Sequence, residues 1–210
     1  MNYDTERATQ KKDELVLVAE DALTECFQLA DNVPDATSVA TISKRIIDNF
    51  VQNTPPEMPR MEFITMSQGG YGGGTTTKPG NLVLNLRTLL VDLAEVITIG
   101  AGALNVHWLA PFVALRIWNK LWSRLNIKIS EHEAVVLLTM WKNCDHNNYI
   151  PEDGVLDLVN TELGSNGRSS ISRQELDDSL EILRRMKCIQ RSTSIKNKWW
   201  LRESVSVPYR

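Results

Sequence analysis

Cysteine and histidine are the residues of this chain best suited to nucleophilic or metal chemistry, and both are scarce. The 210 residues include 3 of each. His132 is followed by Glu133, but no second histidine completes the HExxH spacing of a zinc protease. Cys144, Asp145 and His146 are adjacent, and sequence neighbours cannot readily converge on one tetrahedral ion or form a nucleophile–base pair without a third, orienting group. The sequence therefore predicts no catalytic residue, no metal site and no cofactor.

A run of glycines raises the question of a phosphate-binding loop. Six of the 11 glycines lie between Gln68 and Gly80. A P-loop needs GxxxxGK[ST] between a strand and a helix, whereas Lys78 is followed here by Pro79. We therefore interpret residues 68–80 as a Gly-rich linker.

The charge distribution divides the chain into three parts. The formal net charge is −3, and 42% of the residues are apolar, as in an ordinary globular protein. Residues 1–68 carry 6 basic and 12 acidic side chains, residues 69–127 carry 5 and 2, and residues 128–210 carry 12 of each. No part has the basic excess of a general phosphate-backbone binder. The polar, acidic first residues do not form a signal peptide, so we expect a cytoplasmic protein.

Two amphipathic helices are predicted in the acidic part. An apolar stripe at steps of three and four begins at Leu15, after a cap at Asp4 or Thr5. A second helix is expected to open near Asp35 and to end at residues 54–56 (TPP), because proline removes a backbone donor and clashes with the preceding turn.

Residues 81–126 are unusually apolar and predict a helical hairpin, with helices over 82–98 and 103–125. Basic and indole side chains alternate near its end, at Arg116, Trp118, Lys120, Trp122 and Arg124. Tryptophan favours the headgroup layer of a membrane and cations attract anionic lipid, so these five are candidate membrane-interface residues. A buried hairpin that receives the stripes of the first two helices predicts the same composition. Peripheral membrane contact, a span and a soluble core therefore all stay open.

Residues 127–210 show the clearest order of elements. A short strand at 127–129 precedes a helix with a capping box at Ser130 and Glu133, and a polar loop covers 143–151. A second, short helix ends at a turn over 164–167.

A third helix follows, capped by Ser170 or Ser172. Its buried side is expected to hold Leu176, Ser179, Leu180, Leu183 and Met186. A strand at Ile189, a turn over 192–197 and a returning strand at 199–201 complete the pattern.

Three helices followed by a two-stranded hairpin form an order that is similar to the winged-helix superfamily, a variant of helix-turn-helix. The resemblance implies that the run ISRQELDDSLEILRRMKCIQRS contains a recognition helix leading into a wing. Members that bind DNA insert this helix into the major groove. The candidate DNA-contacting residues are Arg168, Arg173, Gln174, Arg191, Lys196 and Lys198.

Acidic side chains argue against that use of the helix. Asp177, Asp178 and Glu181 share its outward side with Arg173 and would face phosphates. We therefore expect a mainly α protein with an acidic helical N-terminal region (1–67), the linker, the apolar hairpin and a winged-helix domain (127–210). The predicted function is that of a non-enzymatic adaptor or regulatory subunit that binds a protein partner or a second copy. A DNA-binding transcriptional regulator and a membrane-embedded effector are the alternatives.

Overall fold

The computed structural model describes residues 3–29, 35–58, 78–90, 109–121 and 127–209. The described part is mainly α-helical, as predicted, with two small antiparallel sheets. Its elements in chain order are α1 (Thr5–Leu29), α2 (Ala36–Phe50), β1 (Val51–Thr54), β2 (Gly80–Asn85), α3 (Leu109–Leu121), α4 (Glu131–Asn143), β3 (Tyr149–Pro151), α5 (Val155–Ser165), α6 (Arg173–Arg185), β4 (Ile189–Arg191), β5 (Lys198–Leu201) and β6 (Ser204–Tyr209).

Helices α1 and α2 confirm the two predicted amphipathic helices, and they pack against each other. The Asp4 carboxylate accepts a hydrogen bond from the Arg7 backbone N–H, and Asp35 caps α2 by accepting from Ser38. These caps satisfy backbone donors that have no partner inside the helix. The apolar stripes are buried, at Leu15, Ala19, Ala22, Leu23 and Phe27 of α1 and at Val39, Ile42, Ile46, Ile47 and Phe50 of α2.

The predicted end of α2 is wrong. The helix ends at Phe50, and the next four residues form β1, which pairs antiparallel with β2. The residue before a proline favours an extended backbone, which suits Thr54 as the last residue of a strand. The two prolines at positions 55 and 56 therefore follow the end of a strand and not the end of a helix.

The predicted helix over 82–98 is wrong at its start. Residues 80–85 form β2, the central strand of a sheet ordered β1-β2-β6, and residues 86–90 are helical. Leu82 and Leu84 are buried, whereas Val83 between them is partly exposed. This alternation is the two-residue period of a strand. Residues 91–108, which would hold the hairpin turn, lie outside the described residues.

The Gly-rich linker is described only at its end. Residues 68–77 lie outside the described residues, whereas Gly80 is the first residue of β2. A Cβ atom at Gly80 would lie 2.5 Å from Cζ of Tyr209 and 2.8 Å from the Thr54 carbonyl oxygen. Gly80 therefore allows β6 and β1 to pack closely on both sides of β2.

Helix α3 confirms part of the second predicted hairpin helix, and it contacts both α1 and α4. Pro111 lies in its first turn, where a missing N–H costs little. No helix among the described residues has the length and apolar composition that crossing a membrane requires. In the described structure α3 receives the apolar stripe of α1, as the core interpretation of the hairpin predicts.

The last part of the chain follows the predicted order with three differences. Residues 127–129 are not a strand, although Ile127 and Ile129 are buried. The predicted polar loop contains β3, and β6 follows β5 after two residues. Strands β3, β5 and β4 form one sheet in that order, while β6 leaves it to pair with β2.

Candidate binding site

A groove of about 760 Å³ lies between α6 and the hairpin of β4 and β5. We call it the α6 groove, and define it by the residues that line it. These are Glu152, Arg173, Asp177, Leu180, Glu181, Arg184, Gln190, Arg191, Thr193 and Trp199. It contains two of the predicted DNA-contacting residues, Arg173 and Arg191.

The position of α6 depends on a cap and on a buried side. Ser172 and Glu175 form a capping box, so Ser172 and not Ser170 begins the helix. The predicted apolar side is buried from Leu176 to Met186. The Ser179 hydroxyl lies in this buried side and donates to the Glu133 carboxylate of α4 at 3.2 Å. These contacts hold α6 against α4 and turn its charged side outward.

Carboxylates on α6 pair with two of its three arginines, Arg173 and Arg184. Arg173 Nε donates to Asp177 at 3.1 Å, and Arg184 donates two hydrogen bonds of 2.7 Å to Glu181. The bonds from Arg184 hold the pKa of the Glu181 carboxyl below its ordinary value, and Glu181 in turn raises the pKa of Arg184. All four side chains are about half exposed, so these are surface ion pairs.

Glu152 links the helix to the hairpin. Its carboxylate accepts from Arg191 at 2.9 Å and lies 3.9 Å from Arg173. The Glu152 side chain is only 19% exposed, compared with 68% for Arg191. The Arg191 guanidinium also lies over the Trp199 ring, 5.1 Å from its centroid, which is a cation–π contact.

The other predicted DNA-contacting residues are distributed around the groove. Arg168 donates to Glu131 at 2.9 Å, Gln174 donates to Asp178 at 3.3 Å, and Lys198 lies 3.7 Å from Asp145.

Lys196 is exposed in the turn between β4 and β5. The structure thus brings Arg173 and Arg191 together in one groove, and leaves Arg168, Gln174, Lys196 and Lys198 outside its lining.

The predicted membrane-interface residues of α3 lie in a different environment. Trp118 is 1% exposed, and its Nε1 donates to the Met186 carbonyl oxygen at 2.7 Å. Arg116 lies 3.5 Å from Glu25 of α1, and Lys120 lies 3.2 Å from Asp21. Trp122 and Arg124 lie outside the described residues. In this structure Trp118 belongs to the protein core, and the two cations face α1.

Two important groove residues were not predicted. Glu152 is a counter-ion that the chain brings from the end of β3, and no local spacing connects it with Arg173 or Arg191. Trp199 was assigned to a strand but not to a site. It is 3% exposed, and its Nε1 has no hydrogen-bond partner among the described residues.

Comparison of the chain with protein-family models, with curated proteins and with solved structures found no match.

Proposed function

We propose that the chain is a non-enzymatic adaptor or regulatory subunit, and that a winged-helix domain binds its protein partner through the α6 groove. The proposal has two parts, the type of domain and the type of partner. The order of elements from α4 to β5 supports the first part. The pairing of charges in the groove supports the second.

The domain assignment rests on connectivity. Helix α4 is followed by β3, by two helices and by the hairpin of β4 and β5, and the strands form a sheet in the order β3-β5-β4. A helix-turn-helix with a strand hairpin packed beside its last helix is the winged-helix arrangement. In that arrangement α6 is the recognition helix and the hairpin is the wing.

The ion pairs of the α6 groove are the main support for a protein partner rather than DNA. Each arginine of the α6 groove has a carboxylate within 4 Å, from Asp177, Glu181 or Glu152. Duplex DNA is bound largely through cations that replace the counter-ions of the phosphates. Here the three arginines face three carboxylates, so the groove has no net positive charge to offer.

Protein interfaces suit the same groove. Arginine and tryptophan are enriched in protein–protein contacts, where they often supply much of the binding energy. Arg191 is largely exposed and lies over the nearly buried ring of Trp199, so the groove presents a guanidinium that is held in place by an indole. A protein partner can supply both signs of charge, whereas a nucleic acid backbone supplies only one.

The DNA alternative is tested by fluorescence anisotropy on a duplex of mixed sequence across a salt series. We expect weak binding by the native protein with little dependence on salt. The variant Asp177→Asn/Glu181→Gln removes two carboxylates from the groove and should bind at least about tenfold more tightly, with a steeper salt dependence. The matched control Asp13→Asn/Asp157→Asn removes the same charge elsewhere. Tight, salt-dependent binding by the native protein that Arg173→Ala weakens would replace this proposal with the DNA-binding regulator.

The partner itself is tested with a photo-crosslinking amino acid at Thr193, which is exposed and lines the groove. The same amino acid at Thr41, on the exposed side of α2, is the control. We expect a protein adduct from position 193 in cells of the natural host, and none of the same mass from position 41. Identical adducts from both positions, or none from position 193, would contradict a partner in the groove.

A further inference from the structure

The first turns of α1 and the residue that caps them carry a second charged surface. Asp4, Arg7, Lys11 and Glu14 line a shallow depression of about 430 Å³, together with Glu6, Gln10 and Tyr209. Steps of three and four residues place the four charges on one side of the helix. We call these four residues the α1 charged face. Its two ends are acidic and its centre is basic.

The α6 groove has the opposite order of charge. Along α6 the charged groove residues are Arg173, Asp177, Glu181 and Arg184, so the ends are basic and the centre is acidic. From first to last residue the groove row covers about 16 Å and the α1 charged face about 15 Å, at 1.5 Å of rise per residue. Each row has the same order of charge signs from either end. The two rows are therefore complementary whether the helices pack in parallel or antiparallel.

Within one molecule these surfaces belong to helices with different neighbours. Helix α1 contacts α2, α3 and β1, whereas α6 contacts α4 and β4. The α1 charged face is also open to solvent, because Arg7 and Glu14 are exposed. A second molecule can therefore present its α1 charged face to the α6 groove of the first.

We infer that the protein self-associates head to tail, with the α6 groove of one copy binding the α1 charged face of the next. This inference rests on the proposed function, because it identifies the protein partner of the groove as a second copy of the chain. The contact joins two different surfaces, so repetition of it produces a closed ring or an open filament. Each copy then contributes one groove and one charged face.

The ion pairs within each surface can be replaced by ion pairs between two copies of the protein. Lys11 pairs with Glu14 at 2.6 Å, and Arg184 pairs with Glu181, but all four side chains are between 34% and 51% exposed. Exposed pairs are weak, so each member can move to a partner charge across an interface at little cost. Association through such charges falls steeply as salt screens them.

The test is sedimentation velocity of the full chain from micromolar to millimolar concentration, at about 50 mM and about 500 mM salt. We expect oligomers at low salt that dissociate at high salt. Arg173→Glu/Arg184→Glu makes the groove predominantly acidic, since Arg191 is then the one cation among its lining residues. Glu6→Lys/Glu14→Lys leaves Asp4 as the one acid among the residues that line the depression on α1, so the α1 charged face becomes predominantly basic. Each variant alone should associate at least about tenfold more weakly. An equimolar mixture should regain association, because the acidic groove then meets the basic face.

Lys44→Glu/Arg45→Glu is the matched control, since it reverses two exposed charges on α2 and should associate like the native protein. Circular dichroism shows whether each variant keeps its helices. Association that ignores Arg173→Glu/Arg184→Glu, or a mixture that stays monomeric, would overturn the inference.

A native protein that stays monomeric, while the crosslinker at Thr193 captures a different chain, would also overturn this inference and would leave the proposed function standing. Failure of both tests, with salt-dependent binding of DNA, would remove both proposals.

Discussion

Helices α3 and α6 both carry basic side chains that form ion pairs, but their counter-ions come from different places. On α3, Arg116 and Lys120 pair with Glu25 and Asp21, which belong to α1. On α6, Arg173 and Arg184 pair with carboxylates three or four residues away on the same helix. The first kind of pair exists only when α1 packs on α3. The second can form in the helix alone.

This difference separates a structural surface from an available one. The cations of α3 lie beside Trp118, which is buried, and they connect two helices of the core. The cations of α6 lie on an outward side, and their pairs can be exchanged without unfolding anything. Basic residues on a helix therefore do not indicate a role by themselves, because the role depends on where the counter-ion comes from.

Replacing Trp118 should have the largest effect on stability. Trp118→Ala removes a large buried side chain and should lower the free energy of unfolding by about 3–5 kcal/mol, as measured by urea denaturation. Trp118→Phe keeps most of the volume but loses the hydrogen bond to the Met186 carbonyl oxygen. Its cost should be about 1–3 kcal/mol, because the buried carbonyl oxygen then keeps only a weak hydrogen bond from the Cys188 thiol.

A loss below 1 kcal/mol for Trp118→Ala would contradict the assignment of α3 to the core. It would also reopen the membrane-interface interpretation, since an exposed indole contributes little to folding. Co-sedimentation of the native protein with vesicles of anionic lipid, with a blue shift of the tryptophan fluorescence that Trp118→Phe removes, would support that interpretation directly.

Local signals in the sequence predicted most of the helices. The stripe beginning at Leu15, the cap at Asp35 and the capping box of Ser130 and Glu133 all depend on residues within one or two turns of each other. Such signals are complete in a short window of sequence.

Strands β1, β2, β3 and β6 were not predicted because their partners are remote in sequence, whereas the local hairpin of β4 and β5 was predicted. Leu82 pairs in register with Asn53 on one side and with Val207 on the other, and no window of sequence contains all three. An apolar run such as Leu82–Asn85 has no period that separates a strand from a buried helix. The same reason applies to the site, where Asp177 is visible four residues after Arg173 but Glu152 is brought in by folding.

The cap of α6 provides a prediction of intermediate size. Ser172→Ala removes the acceptor for the Glu175 N–H and should cost about 1 kcal/mol of stability. Ser170→Ala is the matched control and should change the midpoint of urea unfolding very little, because Ser170 is exposed and does not cap the helix. Equal effects of the two substitutions would show that α6 begins elsewhere, which would also shift the row of groove charges.

The smallest effects should come from the ion pairs, and they test the difference between α3 and α6 directly. Glu25→Gln removes the counter-ion that Arg116 and Lys120 share and should cost up to about 1 kcal/mol, since Arg116 is only 29% exposed. Glu181→Gln breaks an exposed pair within α6 and should leave the urea midpoint nearly unchanged at neutral pH.

Measuring stability as a function of pH tests the expectation for Glu181→Gln more closely. Arg184 lowers the pKa of Glu181 in the folded protein, so this pair contributes stability above the ordinary pKa of a glutamate and loses it as the pH falls through the lowered value. Any difference between the native protein and Glu181→Gln should therefore disappear in acid. A Glu181→Gln effect at neutral pH as large as that of Glu25→Gln would show that the α6 pairs help to hold the fold. They would then be poorly suited to exchange with a partner, and the groove would be as structural as the surface of α3.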